Sequence, residues 1–122
     1  MLIERLCSLR LQCRNAELNK TILGRGTMST TATATVQLEN NDVRVTYWDF
    51  APGTQTGSHI HEYDYVVIPI VGGTLTVENN EEMLEKDIIS GLSYTGEVKT
   101  EHNIRNLTNE NVSFVEVEVK NT

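Results

Sequence analysis

Three histidines are the residues of this chain whose type and placement could carry chemistry. His59 and His61 are two positions apart, and His102 follows much later. In a β-strand, side chains two positions apart point to the same face, with Cα atoms roughly 6.6 Å apart. Two imidazoles placed in this way can share one ion, but metal sites usually have at least three protein ligands. The pair alone is therefore weak support for a metal site. Stronger support must come from the residues around it.

The elements that would position these histidines are short strands. From Thr35 onward, short apolar and β-branched runs are broken by turn residues at about every eight to twelve positions, which is typical of a β-sandwich or barrel. We expect an all-β fold here. One strand should run from Tyr65 to Val71 and another from Thr74 to Val77, returning after Gly72-Gly73 as in a hairpin.

Two details of these strands predict local structure. Pro69 cannot donate a hydrogen bond to a neighbouring strand, so it favours a sheet edge, a bulge or a barrel corner. In the last strand, valines alternate with Glu116 and Glu118. This alternation predicts that one face of the strand is buried and that the other faces water.

The residues around the first two histidines resemble the first motif of the cupin family. That motif runs Gly, five residues, His-x-His, three or four residues, Glu, six residues, Gly. Here five residues separate Gly53 from His59. The glutamate position is Tyr65 or Val66, followed by Gly72 or Gly73, so the frame fits but the glutamate is absent.

The second cupin motif runs Gly, five residues, Pro-x-Gly, two residues, His, three residues, Asn. Gly91 begins the matching stretch, and His102 and Asn106 stand at the expected spacings. Glu97 replaces the proline and Lys99 replaces the second glycine. All three histidines of the chain therefore fall on ligand positions of the family.

The resemblance covers roughly residues 40 to 120, and the chain looks especially like small single-domain cupins named as β-alanine degradation proteins. It implies an RmlC-like jelly roll, a double-stranded β-helix, in which His59, His61 and His102 bind a divalent transition metal. Three imidazoles suit Fe(II), Zn, Ni, Cu or Co rather than Mg or Ca. Without a carboxylate ligand, the ion would keep its full charge and two or three open positions.

Several residues could take the place of the missing glutamate. Tyr65 shares the face of the histidines, so its phenol could be a ligand, a hydrogen-bond donor, a catalytic acid or base, or an aromatic that packs the core. Glu62 and Asp64 have the opposite parity and should face outward, in water or beside a ligand histidine.

Other residues are candidates for substrate contacts. Tyr63 shares the face of the histidines, Trp48 could line a pocket, and Asn106 could face inward or cap a turn. Arg44 and Arg105 could bind a carboxylate. Three further aromatic residues could line a pocket or the core: Phe50, Tyr94 and Phe114.

Three function classes remain open at this stage. The first is a metal-dependent enzyme acting on a small organic substrate, with Tyr65 as the catalytic acid or base or as a substrate anchor. The resemblance implies a family that contains dioxygenases, isomerases and lyases, and we favour a dioxygenase-like reaction. A non-catalytic cupin that binds or senses a small ligand is the second class. The third is a metal-free barrel with a structural or isomerase-like role, in which His61 or His102 is the base and Tyr65 the acid.

Composition and length limit the setting. The 122 residues allow one domain, and the net charge of -7 argues against nucleic acid. Both cysteines, Cys7 and Cys13, precede the β-rich part, and no apolar run is long enough to cross a membrane. These features indicate a cytoplasmic protein, and open sheet edges would favour a homodimer.

The beginning of the chain differs from the rest. Residues 1 to 27 are basic, whereas the remainder is acidic. We expect this part to be an extension with little or weakly helical structure, with Met28 as a plausible true start. The cupin-like domain would then span residues 28 to 122.

Overall fold

The computed structural model describes residues 30–121, which form nine strands and no helix. The expected N-terminal extension lies outside these residues. In the described part, no helix is long and apolar enough to cross a membrane. The strands are β1 (Thr33–Glu39), β2 (Val43–Phe50), β3 (His59–Ile60), β4 (Asp64–Val71), β5 (Gly73–Glu78), β6 (Met83–Ile88), β7 (Tyr94–Gly96), β8 (Glu101–Arg105) and β9 (Val112–Val119).

The strands form two antiparallel sheets, which confirms the all-β prediction. The larger sheet has the order β1-β2-β9-β4-β7, and the smaller has the order β3-β8-β5-β6. Strands that are distant in sequence therefore lie side by side, as β2 and β9 do along their whole length. This long-range pairing places residues from both halves of the chain around one interior.

Aromatic and aliphatic side chains from both sheets fill that interior. Phe50 on β2 and Leu75 on β5 are both fully buried. The rings of Trp48 and Phe50 lie 5.9 Å apart, and those of Phe50 and Phe114 lie 5.6 Å apart. Burying such side chains contributes roughly 1.5 to 3 kcal/mol each, so this cluster anchors the two sheets to each other.

The two faces of β9 are present as predicted, but the glutamates lie inside. Glu116 is 8% exposed and Glu118 is 6% exposed, whereas Val115 and Val117 are only half-buried. The glutamates share their face with Phe114, which belongs to the core. The interior of this barrel therefore contains carboxylates beside its aromatic cluster.

The expected hairpin at Gly72-Gly73 is wrong. Strand β4 pairs with β9 and β7 in the larger sheet, whereas β5 pairs with β6 and β8 in the smaller one. The two glycines thus connect the sheets. A Cβ on Gly72 would lie 2.6 Å from the carbonyl oxygen of Ile88, so the close passage of the two backbones requires glycine there.

The expectation for Pro69 is confirmed. The register between β4 and β9 shifts between Pro69 and Val71, which marks a bulge where a missing amide donor is tolerated. A turn stabilised by a side chain precedes β2. The side chain of Asn40 accepts hydrogen bonds from the backbone amides of Asp42 and Val43.

Candidate metal centre

Two strands and one tight turn bring the three histidines together. His59 on β3 is the direct cross-strand partner of His102 on β8. His61 follows β3, and its amide donates to the carbonyl of Thr100 at 2.9 Å. Its carbonyl accepts from the amide of Lys99 at 2.8 Å. The backbone of His61 is thereby fixed on both sides by the turn that precedes His102.

The segment before His59 is attached to β8 in a similar way. The amide of Thr56 donates to the carbonyl of Ile104 at 2.9 Å, and its hydroxyl accepts from the amide of Ile104 at 3.1 Å. The side-chain oxygen of Asn103 accepts from the amide of Gly57 at 2.9 Å. These bonds determine where His59 enters the site.

One ring nitrogen of each histidine lies within 4.8 Å of those of the other two. The Nε2 atom of His61 lies 3.2 Å from that of His59 and 2.9 Å from that of His102. Three nitrogens bound to one ion at about 2.1 Å lie about 3.0 to 3.4 Å apart for coordination angles between 90° and the tetrahedral value. The donor set and its spacing therefore fit a divalent transition metal.

The protonation of the histidines also suits metal binding. Nδ1 of His59 lies 2.8 Å from the carbonyl oxygen of Gly57. Because a carbonyl can only accept, Nδ1 carries the proton and Nε2 keeps its lone pair. Burial and the neighbouring imidazoles lower the pKa of His61 to about 2, and burial lowers the pKa of His102 to about 4. Both rings are therefore neutral at neutral pH.

The histidines lie in the wall of a cavity of about 200 Å³ between the two sheets. An engineered apolar cavity of roughly 150 Å³ holds benzene, so a small organic molecule fits here. One side of the cavity is apolar, and Lys86 on β6 also lines it. The Lys86 ammonium lies 4.1 Å from the centre of the Tyr94 ring.

Tyr65 lies beside the histidines, on the opposite sheet. Its ring stacks on that of His61, with centroids 4.0 Å apart and planes 21° apart. The phenol end lies over Gly96, where an added Cβ would be 2.0 Å from the ring. Burial, followed by the charge of Glu116, raises the pKa of Tyr65 above its usual value, so its phenol stays protonated at neutral pH.

The two acidic residues after His61 lie away from the cavity. Glu62 is exposed, and Asp64 accepts a hydrogen bond from the amide of Val98 at 2.8 Å. Neither lines the cavity. Their outward direction agrees with their parity along the strand.

Glu116, by contrast, lines the cavity and was missed by the sequence analysis. Its Oε2 lies 4.0 Å from Nδ1 of His61, and its Oε1 accepts a hydrogen bond from Nε1 of Trp48 at 3.4 Å. Burial and the charge of Glu118 raise the pKa of Glu116. The shared parity of Phe114 and Glu116 places both on one face of β9, but the valines make the other face apolar as well, so parity alone did not place this carboxylate inside.

The remaining candidates occupy different places. Trp48 lines the cavity, whereas Tyr63 lies outside it, 5.9 Å from the Arg44 guanidinium. Arg44 is paired with Glu118 through two hydrogen bonds. Arg105 lies 3.7 Å from Glu78 and does not line the cavity.

Asn106 is fully buried, and its amide group is occupied by a turn. The amide nitrogen donates to the carbonyls of Phe50 and Glu110 at 2.9 and 2.7 Å. The amide oxygen accepts from the backbone and hydroxyl of Thr108 at 3.0 and 2.7 Å. Asn106 is not among the residues that line the cavity.

Comparisons with known proteins agree with this fold. Residues 46–118 match the cupin domain model. The β-alanine degradation protein BauB of Pseudomonas aeruginosa is 44% identical over 89 residues, which cover 73% of this chain and 94% of that protein. A cupin domain from Bordetella pertussis is 41% identical with a TM-score of 0.73, covering 78% of this chain and 99% of that one.

A more distant structure shares the fold alone. This is a conserved protein with a double-stranded β-helix domain from Klebsiella pneumoniae, 23% identical with a TM-score of 0.64. The match covers 77% of this chain and 81% of the Klebsiella pneumoniae chain. The chain belongs to the cupin family, and the double-stranded β-helix implied by its two motifs is confirmed.

Proposed function

We propose that this protein is a metal-dependent enzyme that acts on a small organic substrate. A divalent transition metal, Fe(II), Zn, Ni, Cu or Co, would be held by His59, His61 and His102. The observation that carries the proposal is the convergence of three Nε2 atoms, separated by 3.2 and 2.9 Å, at the wall of a cavity. A bound ion would act as a Lewis acid or bring O₂ and substrate together, so a dioxygenase-like reaction leads, with an isomerase or lyase next.

The residues around the ion would orient the substrate and move a proton. We propose Tyr65 as the catalytic residue, because its protonated phenol lies in the cavity wall next to His61. A positioned phenol can donate a hydrogen bond or a proton to a substrate oxygen. Trp48 would form part of the substrate wall. The contacts of Asn106 and the position of Tyr63 support no substrate role for either.

A short organic acid is the substrate class that we favour. Lys86 is the one lysine or arginine among the described residues that line the cavity, and its ammonium can pair with a carboxylate. The relative from Pseudomonas aeruginosa is named for the degradation of β-alanine, which is itself a short carboxylic acid. The cavity volume of about 200 Å³ agrees with a molecule of that size.

Substrate screening of the untagged full-length protein tests this function. The protein is loaded with Fe(II) without oxygen and then mixed with short carboxylic acids, thiols or β-dicarbonyl compounds. We expect turnover, with O₂ uptake if the reaction is dioxygenase-like. Lys86→Gln should raise KM for anionic substrates by about tenfold and leave KM for neutral ones unchanged. Equal KM values would contradict the role of Lys86.

The same experiment separates the alternative functions. Ligand binding without turnover by any metal form would favour a sensory or binding protein. Turnover that persists after chelation, with no metal in the purified protein, would favour a metal-free barrel with a histidine base. Uptake of zinc alone would count against an oxygenase.

We also propose that the protein forms a homodimer in the cytoplasm. Among the described residues, strand β6 lies at an edge of the smaller sheet, and Leu84 on β6 is 53% exposed. An open edge with exposed apolar side chains is a surface that a second copy can cover. Light scattering should give about twice the 13.7 kDa of one chain, and a monomer at micromolar concentration would contradict the dimer.

A further inference from the structure

Glu116 is a buried carboxylate for which the proposed reaction has no role so far. It is 8% exposed and lies on the inner face of β9. A buried carboxylate costs several kcal/mol unless it is paired or hydrogen-bonded. The hydrogen bond that its Oε1 accepts from Nε1 of Trp48 is long, at 3.4 Å. The guanidinium of Arg44 donates hydrogen bonds to both carboxylate oxygens of Glu118.

The position of Glu116 relative to His61 gives it a specific geometry. Nε2 of His61 points to the other two histidines, so Nδ1 lies on the opposite side of the ring. Oε2 of Glu116 lies 4.0 Å from that Nδ1. In this orientation Glu116 is not a fourth ligand, because it faces the side of the imidazole away from the ion site.

His59 provides the comparison within the same site. Its Nδ1 donates to the carbonyl of Gly57 at 2.8 Å, so Nε2 carries the lone pair that a metal ion would use. A ligand histidine usually donates its other N–H to a carboxylate or carbonyl group, which fixes the tautomer and the ring orientation. For His61, the group in that position is Glu116, and a movement of about 1 Å would bring it to hydrogen-bond distance.

The neighbouring strands show how this carboxylate relates to the one missing from the cupin motif. Strand β9 lies beside β4, where Glu116 pairs with Val67 and Glu118 pairs with Tyr65. The motif glutamate would stand on β4, at Tyr65 or Val66. A carboxylate on the adjacent strand thus lies close to the site, although it is outside the set of ligands.

We infer that Glu116 is a positioning residue, which accepts a hydrogen bond from Nδ1 of His61 when Nε2 binds a metal ion. It fixes the tautomer and the ring orientation of His61. This inference rests on the proposed metal site. Glu116 on β9 would thereby take over part of the role of the motif glutamate, which this chain lacks on β4.

Metal titration of matched variants tests the inference. Zn(II) affinity is measured by competition with a chromophoric chelator for the full-length wild type, Glu116→Leu, Glu116→Gln and the control Glu118→Gln. Glu118 is buried on the same face of β9, but it pairs with Arg44. We expect Glu116→Leu to weaken binding 10- to 100-fold, Glu116→Gln to weaken it about tenfold, and Glu118→Gln to change it less than threefold.

A spectroscopic readout distinguishes positioning from a general effect on folding. In the zinc-loaded wild type, ¹⁵N-¹H correlation spectra should show a protonated Nδ1 on His61 with a downfield proton. This proton signal should move upfield in Glu116→Gln and broaden through solvent exchange in Glu116→Leu, while the His59 signal stays unchanged. If Glu116→Leu does not fold, Glu116→Gln decides alone.

The outcomes separate this inference from the proposed function. A wild type that binds zinc tightly, with Glu116→Gln within threefold of it and an unchanged His61 signal, overturns the role of Glu116 alone. A wild type that binds no divalent transition metal overturns both the site and the inference.

Discussion

Tyr65 connects the two sheets at the level of a single residue. It belongs to the larger sheet, but its ring stacks on a histidine carried by the smaller one. The packing of its phenol end on Gly96 fixes the ring in place. A fixed phenol beside an ion can act as a proton donor without being a ligand.

Replacing Tyr65 with Phe should separate these roles. We expect kcat to fall about 10²-fold, the lower end for loss of a positioned acid or base, with metal content unchanged. Tyr63→Phe is the matched control, because Tyr63 lies outside the cavity, and it should leave kcat intact. If Tyr65→Phe instead loses its metal, the phenol of Tyr65 is a metal ligand and not only a proton donor.

Asn106→Ala should affect stability rather than the site. The change removes four hydrogen bonds of a fully buried amide, and leaving their partners unpaired costs about 2 to 3 kcal/mol. Urea unfolding measures this loss, with the exposed Asn109→Ala as control. A variant that keeps its stability but binds substrate more weakly would indicate that Asn106 contacts the substrate.

At the level of elements, the turn before β8 contains local strain. Lys99 has a φ of 73°, a left-handed conformation that favours glycine, and the second cupin motif has glycine at this position. The turn also holds the backbone of His61 through the amide of Lys99. Lys99 thus differs from the motif glycine in its side chain, but its backbone keeps the left-handed conformation that glycine adopts without strain.

Lys99→Gly should therefore stabilise the protein. We expect the free energy of unfolding to rise by about 0.5 to 1 kcal/mol, because relief of the left-handed strain exceeds the entropy that glycine adds to the unfolded chain. Thermal unfolding measures the change. Lys99→Ala removes the same side chain but keeps the strained backbone, so an equal gain in both variants would contradict this explanation.

The strands also show what the sequence can predict. The three histidines could be predicted because each belongs to a motif defined by short spacings along the sequence, which can be recognised without knowing how the strands pair. The position of Glu116 was not found because both faces of β9 have apolar residues, Val112 and Phe114 on one and three valines on the other. Alternation reports two faces but does not say which one lies inside. The pairing of β4 with β9 rather than β5 is likewise long-range, so no local pattern determines it.

At the level of the whole molecule, the candidate site exists only between the sheets. The smaller sheet and its following turn supply the histidines, and the larger sheet supplies Trp48, Tyr65 and Glu116. An ion bound by the folded state alone would stabilise the barrel by about 2.7 kcal/mol at a free concentration one hundred times Kd. Metal binding at this proposed site would therefore be linked to folding.

The metal content of the purified, untagged protein tests the central claim most directly. Elemental analysis should find about one transition-metal ion per chain, with X-ray absorption giving three histidine nitrogens at about 2.0 to 2.2 Å. His102→Ala should lose most of that metal. A wild type that contains no transition metal after loading, or a His102→Ala variant that retains the full amount, would contradict the three-histidine site.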